Sequence, residues 1–529
     1  MSSIAFIVLG IYTLSLFYIT LYCVLQFNLL YFYKKKSNQQ LSVEESAPIP
    51  GPAIASRQLA LAEAGPAQPF SGLDAGLEDE PEDQPWPFVT IQLPVYNELY
   101  VMERLIDCIT QFDYPKDRFE IQIVDDSTDE SVEITRQKVE AYKALGFQIE
   151  QIRRPVRQGY KAGALKDAMP FAKGEFIAIF DADFLPKRDF LKKTIPHFKD
   201  PSVGVVQTRW EHINEDYSLI TQLQALQLNV HFTVEQAGRM RGNYLLQFNG
   251  TAGVWRRKTI DDAGGWEADT LTEDLDLSIR AQLKGWKIHF LEDVTSPAEL
   301  PAEMNSLKSQ QFRWMKGGAE TAKKMLPTVW RSDLSPWKKI QSTAHLLSST
   351  VFLFVFITGF SSVPLLFYLD DLINMGFSKN FFAWFMAGLL SIIAIYFVAN
   401  VQATHKNLPF GKSLVRFLKL FPMFLAMSMG LSLHNSVAVI EGWRGKKSPF
   451  VRTPKFNIKS GKDSFAKNKY VTAKLSWTTI FEGLLAVYYT GAIAAAIWLQ
   501  NTTFLFFHLT LAVGFGTIFY YTVRHLKVK

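Results

Sequence analysis

The sequence predicts an α/β domain combined with a bundle of membrane-spanning α-helices. The chain of 529 residues is 48% hydrophobic and 14% aromatic but only 20% charged, a mixture that averages a polar domain with a membrane part. Between residues 87 and 339, short apolar runs alternate with segments of helical periodicity, as is typical of α/β domains. Long apolar runs precede and follow this region. We therefore expect one polar domain with membrane segments on both sides of it.

Residues 1–36 are predicted to form an N-terminal transmembrane anchor. Residues 4–33 are uncharged, long enough to cross a bilayer, and followed by three lysines. A cleaved signal peptide would carry its positive charge before the apolar run, and this sequence does not. The lysines are expected in the cytosol. Residues 37–86, rich in Ala, Pro and acidic residues, are predicted to be a flexible linker to a domain at 87–339.

The C-terminal part is predicted to contain four further spans. Two lie within residues 340–403, and two lie within 477–529 and are followed by a cytosolic tail. A fifth apolar stretch, residues 420–440, would place a basic loop outside the cell if it spanned. Lys412, Arg416 and Lys419 form a basic helical stripe just before it, which favours a helix lying in the interface. Residues 404–476 are therefore predicted to hold an interfacial helix and a basic loop.

Cysteine content and charge restrict the compartment and the partners. Cys23 and Cys108 are too few for a disulfide framework, which indicates a reducing compartment for the polar domain. The net charge of +6 is concentrated near the apolar segments, where it suits an anionic substrate or anionic lipid. Nucleic acid is not expected as a partner.

Acidic residues follow two predicted strands of the polar domain. Asp125 and Asp126 come after residues 119–124, and Asp181 and Asp183 come at the end of residues 175–180. Ligands of open α/β sheets bind at the carboxyl ends of strands. An Asp-x-Asp pair is more often a solvated turn, but after a buried strand it can hold one hard cation that bridges phosphates.

A third acidic cluster lies at residues 272–276, at the start of a predicted helix. Acids here can simply favour the helix dipole, which explains one or two of them better than three. One of them is a candidate general base. The sequence has no Gly-x-Gly-x-x-Gly after the first strand, no Walker motif and no Cys-x-x-Cys, so dinucleotide, P-loop and zinc chemistry are not indicated.

Polar and aromatic side chains also cluster just before the first C-terminal apolar run. Gln310, Arg313 and Trp314 have helical spacing and would project from one face of a helix. This face would suit a polar, flat ligand.

Six motifs, taken in order, resemble the membrane-embedded family 2 glycosyltransferases, the class of the cellulose, hyaluronan and chitin synthases. The motifs are Pro94-Val95-Tyr96-Asn97-Glu98, Asp125-Asp126, Lys161-Ala162-Gly163, Asp181-Ala182-Asp183, Thr272-Glu273-Asp274 and Gln310-x-x-Arg313-Trp314. Within that class, residues 206–210, 230–236 and 248–256 resemble the cellulose synthase-like mannan and glucan synthases. The resemblance implies a cytosolic glycosyltransferase A-type domain with a Rossmann-like mixed sheet.

The resemblance also implies a role for each matching residue. Asp274 would be the catalytic base, and Asp181 and Asp183 would hold Mg²⁺ or Mn²⁺. The nucleotide-sugar donor would contact Tyr96, Glu98, Asp125, Asp126, Lys161 and Arg313, and the acceptor glycan would contact Gly250, Glu273, Gln310 and Trp314. Residues Phe450, Arg452, Thr453 and Lys455 resemble the gating loop that closes over the donor, although Pro454 departs from that pattern. A plain basic loop attracted to anionic lipid is the alternative.

The function implied by the resemblance is processive, inverting transfer of a hexose from GDP-mannose or UDP-glucose to a growing β-glycan, with translocation of the product. The alternative is a single transfer to a lipid acceptor such as ceramide or polyprenyl phosphate. A catalytically inactive scaffold is disfavoured because every acid that the chemistry needs is present. The bilayer, a nucleotide sugar and a glycan acceptor are the expected partners, and export partner proteins are not identified. We expect a multi-pass protein of the bacterial plasma membrane, with the Golgi membrane as the alternative.

Overall fold

A computed structural model describes residues 2–46, 86–378, 381–382, 385–404, 408–448, 451–459, 463–465, 469–470 and 475–526. Most of the predicted linker, Phe450 of the predicted gating loop, and the last three residues lie outside these ranges. The N-terminal helix, α1 (Ser2–Ser46), continues past the predicted boundary of the anchor at residue 36.

The polar domain is built on a seven-stranded mixed sheet with the strand order β3-β2-β1-β4-β6-β5-β7. The strands are β1 (Val89–Val95), β2 (Phe119–Asp125), β3 (Ile149–Ile152), β4 (Phe176–Ile179), β5 (Val203–His212), β6 (Gly253–Arg256) and β7 (Lys287–Ala298). Only β6 runs antiparallel to its neighbours, β4 and β5. All residues of β2 and β4 are buried, because both faces of the sheet are covered.

Helices cover both faces of the sheet and continue into the membrane part. Those of the polar domain are α2 (Met102–Ile109), α3 (Ser131–Ala144), α4 (Tyr160–Ala168), α5 (Phe190–Thr194), α6 (Leu219–Val230), α7 (Gln236–Arg241), α8 (Arg257–Asp262), α9 (Glu273–Leu283) and α10 (Met304–Arg331). They are followed by α11 (Pro336–Leu346), α12 (Val351–Asn374), α13 (Met386–Phe397), α14 (Phe410–Gly430), α15 (Ser432–Arg444), α16 (Trp477–Trp498) and α17 (Leu505–Leu526).

One face of the sheet packs directly against membrane helices. Ile177 and Trp255 of the sheet belong to the same buried cluster as Leu30 of α1 and Ala399, which follows α13. At Gly238 a Cβ atom would lie only 2.5 Å from the Leu29 carbonyl oxygen of α1. The polar domain is therefore fixed on the bundle by a shared core, in addition to the chain connections.

Six of the described helices are long and apolar enough to cross a membrane, which makes the chain a multi-pass membrane protein with the α/β domain between its apolar helices. They are Ser3–Lys35, Ser348–Asn374, Met386–Ala403, Phe410–Gly430, Trp477–Trp498 and Leu505–Leu526. Five correspond to predicted spans. The sixth, α14, begins with the basic stripe for which an interfacial position is predicted, and its length and composition also admit a span.

The apolar stretch at residues 420–440 is not one continuous helix. Helix α14 ends at Gly430 and α15 begins at Ser432. Arg416 of α14 forms an ion pair of 2.7 Å with Glu215 of the polar domain. The basic stripe thus contacts protein through at least one of its members.

Helices α14 and α17 cross at a contact formed by glycines. A Cβ atom on Gly514 would lie 2.0 Å from the Ala426 carbonyl oxygen, and one on Gly430 would lie 2.4 Å from the carbonyl carbon of Gly514. Because both clashes are with backbone atoms, side-chain rearrangement cannot relieve them. This crossing requires residues without a side chain.

We predict that Gly514→Val forces α14 and α17 apart and lowers the free energy of unfolding by about 1–3 kcal/mol, as overpacking does elsewhere. The measurement is thermal unfolding of the purified protein in detergent. Gly516→Val is the matched control on the same helix, because the nearest atom to its Cβ is the Ala486 Cβ at 4.0 Å. Equal unfolding temperatures for the two variants would contradict the close crossing.

Candidate active site

The predicted site residues converge at the carboxyl edge of the sheet. Strand β1 pairs in parallel with both β2 and β4, so the chain segments that follow these three strands leave the sheet side by side. A cavity of about 190 Å³ opens there. Its lining contains Tyr96, Glu98, Asp126, Lys161, Asp181, Asp183, Gly250, Glu273, Asp274, Gln310, Arg313, Trp314, Arg452, Thr453 and Lys455.

Asp125 is a predicted donor-binding residue that does not line this cavity. Its side chain is buried at the end of β2, where Oδ1 accepts a hydrogen bond from the Ser127 amide at 2.8 Å. The other oxygen, Oδ2, accepts from Gln151 Nε2 at 2.6 Å. In this structure Asp125 therefore fixes the turn after the strand. Donor contact by this residue stays a prediction.

Asp181 is paired with a buried lysine. Lys161 Nζ lies 2.6 Å from Asp181 Oδ1 and donates to the Gly250 carbonyl oxygen at 2.8 Å. Burial opposes the charge of Lys161, but Asp181 and the nearby Glu273 outweigh it and raise the lysine pKa. Lys161 is therefore a fixed positive charge in the cavity.

Asp183 and Glu98 face cations from the predicted gating loop. Lys455 Nζ lies 3.0 Å from Asp183 Oδ1 and 3.4 Å from Glu98 Oε1, and Arg452 Nη1 lies 2.9 Å from Glu98 Oε2. Burial raises the pKa of Glu98, while the two loop cations act against this shift. The loop thus places two positive charges where the sequence predicts metal and donor contacts.

The two aspartates fit a hard divalent cation. Carboxylate oxygens are the ligands that Mg²⁺ and Mn²⁺ prefer. No described donor forms a well-oriented hydrogen bond with the buried Asp183 Oδ1, although the Lys455 ammonium group is near it. This oxygen is therefore an acceptor that a cation would satisfy, and the cation would compete with Lys161 and Lys455 for the pair.

A separate acidic group, Glu267, Asp269 and Asp276, also has carboxylate oxygens close together. Lys324 Nζ lies among them, at 2.5 Å from Glu267, 2.9 Å from Asp269 and 3.1 Å from Asp276. Arg280 pairs with Asp276 at 2.7 Å. The charges of this group are balanced by side chains outside the cavity lining, so it is a structural ion-pair network.

Asp274 lies in the first turn of α9, next to Glu273. Its Oδ1 accepts a hydrogen bond from the Leu275 amide at 2.8 Å. Burial, together with the charge of Glu273, raises the pKa of Asp274. Gly250, with φ of +76°, passes so close that a Cβ there would lie 3.0 Å from Asp274 Oδ2. Gly250 therefore gives the carboxylate room and adopts a backbone conformation that other residues avoid.

Helix α10 presents the predicted acceptor face to the cavity. Its N-cap, Glu303, accepts hydrogen bonds from the Asn305 and Ser306 amides, both at 2.9 Å. Arg313 donates to the Val451 carbonyl oxygen and, at 2.9 Å, to Thr453 Oγ1. Burial lowers the pKa of Arg313 to about 10, so it remains charged at neutral pH.

Two buried lysines join the same helix to the membrane part. Lys308 Nζ pairs with Glu482 of α16 at 2.8 Å, and both side chains are nearly inaccessible to solvent. Lys316 Nζ donates to Ser448 Oγ at 2.7 Å, just before the loop. The acceptor face therefore lies between two anchoring points.

The loop is attached at its far end by Glu299, which follows β7. Its carboxylate accepts hydrogen bonds from the amides of Phe456 at 2.9 Å, Asn457 at 3.1 Å and Ile458 at 3.2 Å. Arg104 pairs with Glu299 at 2.8 Å and also contacts the Asn457 side chain. The Glu299 carboxylate therefore satisfies three backbone amides of the loop.

Sequence reasoning missed Glu299 and also missed two arginines near the predicted donor residues. Arg157 stacks on the Tyr96 ring with its guanidinium carbon 3.5 Å from the ring centroid. Arg154 forms a bidentate pair with Asp126, with both contacts at 2.7 Å. The clustering of arginines just before Lys161 was a signal in the sequence for the last two. Nothing local distinguishes Glu299 from other acids.

A second cavity, of about 1080 Å³, adjoins the first. Asp274, Trp314, Asn249 and Trp210 line both. The larger one is bounded by residues of α1, α12, α13, α14 and α17. Its walls are mostly apolar, but the buried polar atoms Gln26 Oε1 and Thr358 Oγ1 have no hydrogen-bond partner among the described residues. The smaller cavity therefore adjoins a cavity that lies within the membrane bundle.

Residues 87–317 match the family model described as glycosyltransferase like family 2. This domain belongs to glycosyltransferase family 2. Over 271 residues, half of its length, the chain is 42% identical to glucomannan 4-beta-mannosyltransferase 1 of Oryza sativa subsp. japonica. The chain spans about half the length of that relative, 52%.

Solved structures similar to this chain include a mannosyltransferase from Pyrobaculum calidifontis in complex with GDP-Man and Mn²⁺. It is 21% identical, with 60% of this chain and 88% of that chain covered and a TM-score of 0.41. TarS of S. aureus is 16% identical, with 68% and 54% covered and a TM-score of 0.34. The predicted fold class, a glycosyltransferase A-type mixed sheet with a helical membrane bundle, is confirmed.

We predict that Glu299→Ala releases the loop from the family 2 domain, because three backbone amides lose their acceptor together. Hydrogen exchange at Phe456, Asn457 and Ile458 should become roughly tenfold faster or more, as expected for the loss of bonds to a charged group. Mass spectrometry of labelled peptides gives the measurement. Glu211→Gln is the control, because its hydrogen bond is with Thr295, away from the loop. Unchanged exchange would show that other contacts hold the segment.

Proposed function

We propose that this protein is a processive, inverting β-glycosyltransferase that transfers a hexose from a nucleotide sugar to the end of a growing β-glycan. The observation that carries the proposal is the junction of the two cavities. Asp274 and Trp314 line a cavity that contains the Asp181–Asp183 pair, and they also line the cavity that continues between membrane helices. The proposed transfer reaction and the proposed path of the product into the membrane bundle therefore share Asp274 and Trp314.

Asp274 is proposed as the general base. A carboxylate with a raised pKa is a stronger base than an ordinary aspartate, and it lies where Trp314 and Gln310 would hold the acceptor sugar. The acceptor hydroxyl gives its proton to Asp274 as its oxygen bonds to C1 of the donor. The bond from C1 to the diphosphate breaks, and attack from the opposite face converts an α-linked donor into a β-linked product.

The leaving diphosphate requires positive charge. A divalent cation on Asp181 and Asp183 would supply Lewis-acid stabilisation of this group when bound. Arg313, Arg452 and Lys455 line the same cavity and are proposed to form charge-assisted hydrogen bonds with the diphosphate oxygens. Tyr96, Glu98, Asp126 and Lys161 are proposed to position the rest of the donor. Gly250 and Glu273 are proposed to lie beside the acceptor.

The donor is proposed to be GDP-mannose, with UDP-glucose as the alternative. The similarity to a glucomannan 4-beta-mannosyltransferase supports a hexose donor of this kind and the EC 2.4.1 class. The larger cavity supports translocation, because Gln26 Oε1 and Thr358 Oγ1, which have no hydrogen-bond partner in the described part of the chain, could bind hydroxyls of a passing glycan. Its largely apolar walls also favour a second candidate function, a single transfer to a lipid acceptor such as ceramide or polyprenyl phosphate.

Labelled donors added to the purified protein separate these functions. A high-mass product that a β-mannanase or β-glucanase digests would support glycan synthesis. One labelled lipid with no polymer would refute it, and no incorporation from any donor would refute both. Asp274→Asn should abolish transfer while donor binding, measured by calorimetry, is retained.

The membrane orientation is part of the proposal. The family 2 domain and the basic loops are placed in the cytosol by the positive-inside rule, with the bacterial plasma membrane favoured over the Golgi membrane. Accessibility of Cys108 to a membrane-impermeant thiol reagent in sealed vesicles tests the side of the domain.

The pH dependence should report the raised pKa of Asp274. The base must be deprotonated, so kcat/KM should fall as the pH decreases through a value above the ordinary aspartate pKa of about 3.9. Glu273→Gln removes a negative neighbour that favours the protonated form, so the acidic limb should move to lower pH. Glu267→Gln, six residues earlier and outside the cavity lining, should leave the limb in place. If the acidic limb of the Glu273→Gln profile stays at the same pH or moves to higher pH, the assignment of Asp274 as the base is refuted.

Binding of Mn²⁺ should depend in opposite ways on Asp183 and Lys455. Asp183→Asn removes a proposed ligand and should weaken binding by at least about tenfold. Lys455→Met removes the competing ammonium group and should strengthen binding roughly fivefold, as expected for an ion pair of about 1 kcal/mol. Electron paramagnetic resonance of Mn²⁺ added to the donor-free protein measures both. Lys459→Met on the same loop is the control, and equal effects of the two lysine variants would contradict direct competition.

A further inference from the structure

A polar cluster lies where the catalytic cavity opens into the larger one. It consists of His231, Glu235, Gln247 and Asn249, all of which line the larger cavity, and Asn249 lines both. His231 and Glu235 lie in a π-helical turn, His231–Glu235, between α6 and α7. Turns of this kind are rare and are frequent at functional sites. The turn is a local departure from the regular helix that presents these side chains together.

The side chains of the cluster hold each other in fixed orientations. His231 Nδ1 lies 3.0 Å from Glu235 Oε2, and His231 Nε2 lies 2.7 Å from Asn249 Oδ1. Gln247 Nε2 donates to the same Asn249 oxygen at 3.0 Å. Asn249 Nδ2 has one described contact, at 3.5 Å with the Gln247 carbonyl oxygen. The amide group is therefore left with donor capacity at the junction.

The cluster remains accessible although the region around it is largely apolar. The side chains of His231 and Glu235 are each 22% exposed. Arg239 Nη1 lies 3.6 Å from Glu235 Oε2 and partly balances its charge. Keeping charged and polar groups at the mouth of an apolar cavity costs desolvation energy, which a polar ligand would offset.

Aromatic rings lie beside these polar groups. Trp210 lines both cavities and stacks on Phe232 of the π-helical turn, with ring centroids 4.7 Å apart and an interplanar angle of 26°. The buried Trp210 Nε1 has no hydrogen-bond partner among the described residues. Trp314 lines the same junction. Flat apolar rings next to hydrogen-bonding side chains match the two kinds of surface that a pyranose ring offers.

We infer that His231, Glu235, Gln247 and Asn249 form a sugar-binding subsite for the glycan unit behind the one that reacts. This inference rests on the proposed function. The terminal unit would lie at Trp314 and Asp274, and the next unit would lie at the junction, with its hydroxyls bonded to the cluster. The subsite holds the product between successive transfers and so sets how long a chain becomes before release.

Pulse–chase synthesis with the purified full-length protein tests this subsite. Labelled donor is added briefly, an excess of unlabelled donor follows, and the length distribution of the labelled chains is measured. His231→Ala and the isosteric Glu235→Gln should shorten the mean chain roughly tenfold, because hydrogen bonds to the retained glycan are lost or weakened and release is faster. Thermal unfolding verifies that each variant is folded.

His345→Gln is the matched control. His345 lies on α11 and interacts electrostatically with Glu235. It is not among the residues that line the larger cavity. It should leave chain length unchanged, whereas an equal effect of His345→Gln and His231→Ala would show a structural role only. Unchanged chain length in both His231→Ala and Glu235→Gln would refute the subsite while the proposed function stands. A labelled lipid without polymer in the unsubstituted protein would refute the proposed function itself.

Discussion

The candidate active site depends on the balance between buried carboxylates and buried cations. Glu98, Asp181, Asp183, Glu273 and Asp274 line one small cavity, and a group of negative charges of this density is unstable away from water unless cations accompany it. The cations come from distant parts of the chain. Lys161 lies in the first turn of α4, Arg313 lies on α10, and Arg452 and Lys455 lie on the loop. The position of the loop is therefore tied to the charges of the cavity.

This balance also explains why the cationic loop lies inside the cavity in the structure. In the structure, Lys455, which is proposed to meet the diphosphate, binds the carboxylates of Glu98 and Asp183. A donor with its cation would bring both signs of charge and replace these contacts in pairs. Such an exchange would give each buried charge of the cavity a partner of opposite sign.

Much of the site could be predicted from the sequence because its acids follow buried strands or begin helices. The positions of Asp181, Asp183 and Asp274 depend on local patterns, and the structure brings them into one cavity. Glu299 was not predictable in this way, because its importance comes from three amides more than 150 positions away. The separation of α14 from α15 at Leu431 was hidden for a similar reason: the apolar run continues through it, and the close crossing at Gly430 depends on α17.

The chain order of the cavity residues has a consequence for biosynthesis. Lys455 and Glu98 are 357 positions apart, and the helices α12 to α15 lie between the family 2 domain and the loop. A ribosome must therefore release most of the membrane part before the cations that complete the cavity exist. A nascent chain that has made only the family 2 domain has all the predicted acids but lacks Arg452 and Lys455. The cavity thus becomes complete only after helices α12 to α15 have been synthesised.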